Sequence, residues 1–179
     1  MSNVSAAQAA SYYEKDGYYV RLDAADNQWQ GHLKEELNLS DNVTKADFDT
    51  LVNSRKERAG IDLCFSAPKS VSVAALCLDE DTRKEIIAAH EAAVKATLDK
   101  IEQREIGARV TPEKHAKQVH VKTGNMICGK FNHYVSRNSD PQLHTHCVIM
   151  NQTLYNGKLY AIDNPDLYKN KILYGQIYR

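Results

Sequence analysis

The chain has 179 residues, with 23 Lys plus Arg balanced by 23 Asp plus Glu. That length suits one well-buried domain and is short for two, and zero net charge excludes a uniformly basic coat for polyanions. No apolar run is long enough to span a bilayer and residues 4–10 lack a signal-peptide pattern, so the expectation is a cytoplasmic protein with no membrane insertion.

Residues 4–14 have the Ala-rich composition of a helix, stopped at Lys15-Asp16-Gly17, where glycine can take a left-handed turn. Tyr12 and Tyr13 close that helix, and Tyr18 and Tyr19 open an extended segment. Two tyrosine pairs fit either half-buried aromatic packing or exposed rings that stack unpaired bases. Trp29-Gln30-Gly31 with Leu33, Leu37 and Leu39 reads as scaffold, and the lone His32 is given no role. Thr44 caps a helix over residues 47–55, with Asp47 at its third position.

Residues 61–65 alternate as a strand, with Ile61, Leu63 and Phe65 on one face and Asp62 and Cys64 on the other. A carboxylate inside an apolar strand is costly unless paired, so Asp62 either faces solvent on an edge strand or meets a partner. Residues 71–78 fit a helix or a strand equally. Thr82 and Glu85 form a capping box for the next helix, and Ile87, Val94, Leu98 and Ile101 make one stripe that lies across a sheet face. His90 reads as a surface residue of that helix. Cys64, Cys77, Cys128 and Cys147 lie in apolar runs without Cys-x-x-Cys spacing and read as reduced core residues.

Residues 109–120 are polar and fit a loop or an exposed hairpin. Residues 124–130 nominally match the Gly-x4-Gly-Lys phosphate loop, but Phe131 stands where Ser or Thr is required and Met126-Ile127-Cys128 reads as strand, so that motif is rejected. Charge is uneven along the chain. Residues 1–50 carry nine acids and four bases, whereas residues 106–138 carry six bases (Arg109, Lys114, Lys117, Lys122, Lys130, Arg137) and one acid, Glu113. The basic stretch either coats a solvated edge strand or guides a phosphate backbone.

Residues 131–151 read as two strands joined by a short polar turn. His144 and His146 share a face with Val148 and Met150, while Leu143, Cys147 and Ile149 point the other way. A strand apolar on both faces sits centrally in a sheet, where two neutral imidazoles need a reason to be. Centring the turn between Asn138 and Ser139 sets His133 opposite His144, with Cβ atoms about 5 Å apart. Three imidazoles on rigid strands match a site for a divalent metal ion (Mg2+, Mn2+ or Zn2+) with a position open to substrate. Asn156-Gly157 then turns residues 153–155 into residues 158–160, adding an antiparallel strand, and Asn164-Pro165 opens a helix that runs to Arg179 without a stop signal.

The phrase Ser136-Arg137 through Asp140-Pro141-Gln142-Leu143-His144-Thr145-His146 resembles the histidine motif of MobF-type conjugative relaxases, in the HUH endonuclease superfamily, although Thr145 stands where that name has a hydrophobic residue. Residues 12–19 are similar to the family's N-terminal tyrosine motif. Residues 62–72 resemble the segment whose aspartate lies beside the catalytic tyrosine and histidines, with Cys64 in place of the usual Thr. The resemblance covers nearly the whole chain. It implies one α+β relaxase domain over residues 1–179, C-terminally incomplete and without the helicase region family members usually carry. The central sheet would be mainly antiparallel and ferredoxin- or RRM-like, flanked by helices; the residues themselves suggest helices on one side.

The implied activity is metal-dependent, site- and strand-specific nicking and joining of single-stranded DNA at a plasmid transfer origin, through a 5′-phosphotyrosine, in bacterial conjugation. The implied residues are Tyr12, Tyr13, Tyr18, Tyr19 and Asp62 for catalysis, His133, His144 and His146 for metal, and Lys69, Lys122, Lys130 and Arg137 for DNA. Tyr12 leads the pair marked for the first cut, and Tyr18 and Tyr19 are marked for a later strand transfer. Relaxosome accessory proteins and a coupling protein are implied partners. Three other readings stay open: a rolling-circle replication initiator-type HUH nuclease, a cupin-like three-histidine oxidoreductase, and a non-enzymatic metal-stabilised DNA-binding module. The cupin reading requires many more regularly spaced strands.

Overall fold

The computed structural model describes residues 1–5, 27–55, 58–112, 117–136 and 138–179. Tyr12, Tyr13, Tyr18, Tyr19, Arg137 and most of the helix expected over residues 4–14 lie outside them. The strands are β1 (Ser2–Val4), β2 (Gln28–Gln30), β3 (Gly60–Ser66), β4 (Gly107–Val110), β5 (Val119–Lys122), β6 (Cys128–Val135), β7 (Pro141–Met150), β8 (Thr153–Tyr155) and β9 (Lys158–Tyr160). The helices are α1 (Leu33–Glu36), α2 (Lys45–Asn53), α3 (Lys69–Cys77), α4 (Glu80–Glu105), α5 (Pro165–Lys169) and α6 (Lys171–Tyr178).

Five strands form an antiparallel sheet in the order β1-β3-β7-β6-β2. The apolar character of β7 on both faces puts it in the centre of that sheet. On one face Ile61, Leu63, Phe65, Cys147 and Ile149 pack against Val94, Leu98 and Ile101 of α4 and Tyr174 of α6. On the other, Phe131, Val148 and Met150 pack against Trp29, Leu33, Phe48 and Val52. Helices therefore cover both sides, correcting the one-sided layer expected, because the second apolar face of β7 also needs cover. Among the described residues one five-stranded sheet lies between helices, with two separate two-stranded pairs, rather than the many regularly spaced strands that the cupin reading requires.

Several local expectations change. Val4 belongs to a strand, paired with Gly60. Residues 71–78 resolve as α3, entered at Pro68. The cap of α4 is Asp79, whose side chain accepts from the Thr82 N–H at 3.0 Å, so the helix starts earlier than a Thr82–Glu85 box would set it. Gly107–Val110 and Val119–Lys122 pair as antiparallel strands, so both ends of the polar stretch are extended. Asn156 (φ 48°) and Gly157 (φ 74°) make the expected tight turn. The resulting β8–β9 pair stands as its own two-stranded sheet. The final helix is interrupted at Asn170. Cys128 and Cys147 are buried as expected, but Cys64 and Cys77 are exposed and so are not core residues.

Candidate metal centre

The two strands that carry the histidines pair as the turn geometry requires: His133 is opposite His144 and Phe131 opposite His146. A bulge after His133 shifts the register to Val135 opposite Pro141, so the centre of the turn moves while the histidine pair does not. The ring centroids of His133, His144 and His146 are 5.0, 5.6 and 5.4 Å apart pairwise. His133 and His144 are buried at 5% and 3% exposure.

Asp62 on β3 faces Val148 in register and reaches diagonally to His146, whose Nδ1 lies 2.9 and 3.1 Å from the two carboxylate oxygens. The carboxylate thus has the partner that its place in an apolar strand demands. His144 Nδ1 lies 2.8 Å from the carbonyl of Gln142. A carboxylate and a carbonyl only accept, so both rings carry their proton on Nδ1 and a lone pair on Nε2, the form in which a histidine ligates metal. Burial pushes His133 down to about 3, and His144 and His146 beside it push the same way. Burial also lowers His144, partly offset by its bond to Gln142. Neutral imidazoles are thereby favoured, which suits metal binding. Among the described residues no group of three His, Cys, Asp or Glu side chains is arranged, as it stands, to hold a metal ion. The three rings are packed neighbours, with the proton placed on Nδ1 in His144 and His146.

Cys64, on the same face and opposite His146 in register, has its thiol pushed up to about 11 by desolvation and by the Asp62 charge. It is a protonated thiol, a poor ligand and a poor nucleophile. The basic residues scatter. Lys69 donates to the carbonyl of Pro141 at 2.9 Å, at the end of β7 that leads to His144. Lys130 lies on the α4 side of the sheet beside Glu91 and Asn132, and Lys122 stands on the separate β4–β5 hairpin. The structure therefore brings Asp62, His133, His144 and His146 together, with Lys69 nearby, and leaves Lys122 and Lys130 elsewhere.

His90 differs from its expected surface position. It is 6% exposed, with Nε2 2.8 Å from Thr145 Oγ1 and Nδ1 2.8 Å from the Tyr178 hydroxyl. The signal was in the sequence, because His90 stands four residues before Val94 and so continues the stripe of Val94, Leu98 and Ile101. Burial pushes it down to about 4, with a smaller contribution from His144.

The TrwC relaxase family matches residues 6–179. The multifunctional conjugation protein TraI of Escherichia coli strain K12 is 36% identical over 200 aligned residues, covering 98% of this chain and 11% of TraI. A metal-bound structure of the conjugative relaxase TrwC in complex with OriT DNA superposes with a TM-score of 0.83 at 38% identity, over 99% of this chain and 65% of TrwC. TrwC complexed with a 27-mer DNA comprising the recognition hairpin and the cleavage site gives 0.82 at 36% identity, over 99% and 64%. A copper-bound TrwC complex with OriT DNA gives 0.80 at 40%, over 97% and 63%. The chain thus spans about a tenth of TraI and just under two thirds of these TrwC chains. With both the sheet and the histidine cluster in place, the match over nearly its full length makes this chain a member of the TrwC relaxase family, a MobF-type relaxase domain.

Proposed function

We propose that this chain nicks and rejoins single-stranded DNA at a plasmid transfer origin during conjugation, using a tyrosine nucleophile and one divalent ion held by His133, His144 and His146. The observation that carries the proposal is the packed trio of imidazoles with His146 tied to Asp62, in a family whose TrwC member has been solved bound to metal and to OriT DNA. The family relationship also favours this over a replication initiator of the rolling-circle type.

The chemistry is a transesterification. A phenol oxygen forms a bond to the scissile phosphorus, the P–O3′ bond breaks, the phenol proton leaves to a base, and the departing 3′-oxygen takes a proton. A phenol with pKa about 10 is ionised only to about one part in a thousand at pH 7, a deficit of about 4 kcal/mol that the site must offset. A bound divalent ion would supply charge stabilisation at a phosphate oxygen. Asp62 fixes the His146 ring and its tautomer, and is placed to accept the phenol proton if a tyrosine approaches. Tyr12 is the proposed first nucleophile, with Tyr13 beside it as the alternative and Tyr18 and Tyr19 serving a later strand transfer. Lys69 and Arg137 would meet the phosphate backbone, and Lys122 and Lys130 would engage DNA only at a distance from the scissile bond.

Relaxosome accessory proteins and a coupling protein are proposed partners, and the bacterial cytoplasm the proposed site of action. No helix among the described residues is long and apolar enough to cross a membrane. The test is a metal-dependent nicking assay on a single-stranded oligonucleotide from the chain's own transfer origin, in which strand cleavage supports the proposal and intact DNA at every metal tried contradicts it. Cleavage in the same assay would also reject the binding-only module.

A further inference from the structure

A chain of hydrogen bonds lies directly behind the histidine strand, on the side facing α4. Tyr178 OH meets His90 Nδ1 at 2.8 Å and His90 Nε2 meets Thr145 Oγ1 at 2.8 Å. Thr145 Oγ1 donates to Asn132 Oδ1 at 2.7 Å, and Asn132 Nδ2 donates to Glu91 Oε1 at 2.7 Å. Its direction follows from one end. The Glu91 carboxylate only accepts, so Asn132 must turn its amide nitrogen to Glu91 and its oxygen to Thr145. The single hydroxyl proton of Thr145 is then spent on Asn132, so Thr145 accepts from His90 Nε2–H. His90 Nδ1 is left as the acceptor for the Tyr178 hydroxyl. His90 therefore carries its proton on the nitrogen opposite to that of His144 and His146.

Thr145 sits between the two histidines, and Asn132 is its register partner on β6. In a strand with one apolar face, hydrophobic pattern alone fixes which side chains turn inward, since a slip of one residue exchanges the faces. Strand β7 lacks that safeguard, because Leu143, Cys147 and Ile149 are buried on one face and Val148 and Met150 on the other. A slipped β7 would lose little apolar burial. It would, however, turn His144 and His146 toward α4 and leave the buried His90 donor and the half-buried Asn132 acceptor without Thr145. The polar chain on one face and the Asp62–His146 pair on the other therefore distinguish the two arrangements.

We propose that His90 is a positioning residue for the histidine strand: by donating to Thr145 it holds the backbone between His144 and His146 in the rotation that presents both imidazoles to the Asp62 face. The proposal rests on the reading of His133, His144 and His146 as a metal site, and its test separates the two.

The probes are zinc binding by the purified chain and nitrogen NMR of 15N-histidine-labelled protein without metal. In the metal-free wild type the expected spectrum has His90 as the Nε2–H tautomer and His144 and His146 as Nδ1–H tautomers. His90→Phe and Thr145→Val, which keep volume and remove the bond, are expected to retain cooperative unfolding and weaken zinc binding by about tenfold or more. They are also expected to blur the single tautomer of His144 and His146. His90→Gln, whose amide can still donate to Thr145, restores both readouts, and the double variant His90→Phe/Thr145→Val is no worse than either single one. Should His90→Phe fail to fold, Thr145→Ser against Thr145→Val makes the same comparison. Unchanged zinc affinity and unchanged His144 and His146 signals in Thr145→Val overturn the proposal, as does a His90→Gln that behaves like His90→Phe. A wild type that binds no zinc counts against the metal reading, while the tautomer shifts still decide the role of His90.

Discussion

At the scale of single residues, the site depends on which nitrogen or oxygen each side chain has left for chemistry. Removing one imidazole opens the trio, so His144→Ala is expected to abolish stoichiometric metal binding in elemental analysis, whereas His120→Ala, on the β4–β5 hairpin, leaves it intact. Undiminished metal in His144→Ala would contradict the site. Asp62→Asn keeps an acceptor for His146 Nδ1 but loses the charge, so it is expected to retain metal and slow cleavage by about 10²-fold. A loss that varies with pH assigns Asp62 to proton acceptance, and a constant one assigns it to orientation; wild-type rates from pH 6 to 9 would remove it from the mechanism. The pairing of His133 with His144 and the need of Asp62 for a partner were both legible in the sequence, because strand alternation and desolvation cost are local rules. The partnership of His90 with Thr145 joins residues 55 apart and was not.

At the scale of elements, α4 anchors one face of the sheet and its buried histidine makes stability depend on pH. His90 titrates near 6.5 when unfolded and at about 4 when folded. The native state therefore holds its full contribution above pH 6.5, and as pH falls toward 4 the unfolded chain takes up a proton that the folded chain refuses. Each such proton lowers stability by about 1.4 kcal/mol per pH unit in that window. Thermal unfolding followed by circular dichroism should show His90→Gln losing less stability than wild type between pH 6.5 and 4.5; parallel curves would refute the assignment. Leu98, fully buried between α4 and the sheet, is expected to cost about 2–5 kcal/mol on truncation to Ala in denaturant unfolding, and a cost near zero would mean α4 is not the helix covering that face. The stripe on α4 was legible from its 3.6-residue period. The helix layer on the other face was not, because α1 has only four residues and its partners are split between Trp29 on β2 and Phe48 and Val52 on α2.

At the scale of the whole molecule, the sheet order puts β7 in the middle and brings Asp62 from β3 and His133 from β6 to its two sides, so one central strand organises the entire candidate site. That long-range arrangement was readable only in outline, since alternation gives faces but not strand order. In the proposed reaction a tyrosine of this chain becomes covalently joined to DNA. With a divalent ion and a single-stranded oligonucleotide carrying its transfer origin, the wild-type chain is predicted to form a denaturation-resistant adduct that peptide mass mapping places on Tyr12, and Tyr12→Phe, which removes one oxygen, is predicted to lose it. An adduct on Tyr13, Tyr18 or Tyr19 would move the nucleophile, whereas cleavage without any covalent adduct would mean that water attacks and would contradict the account.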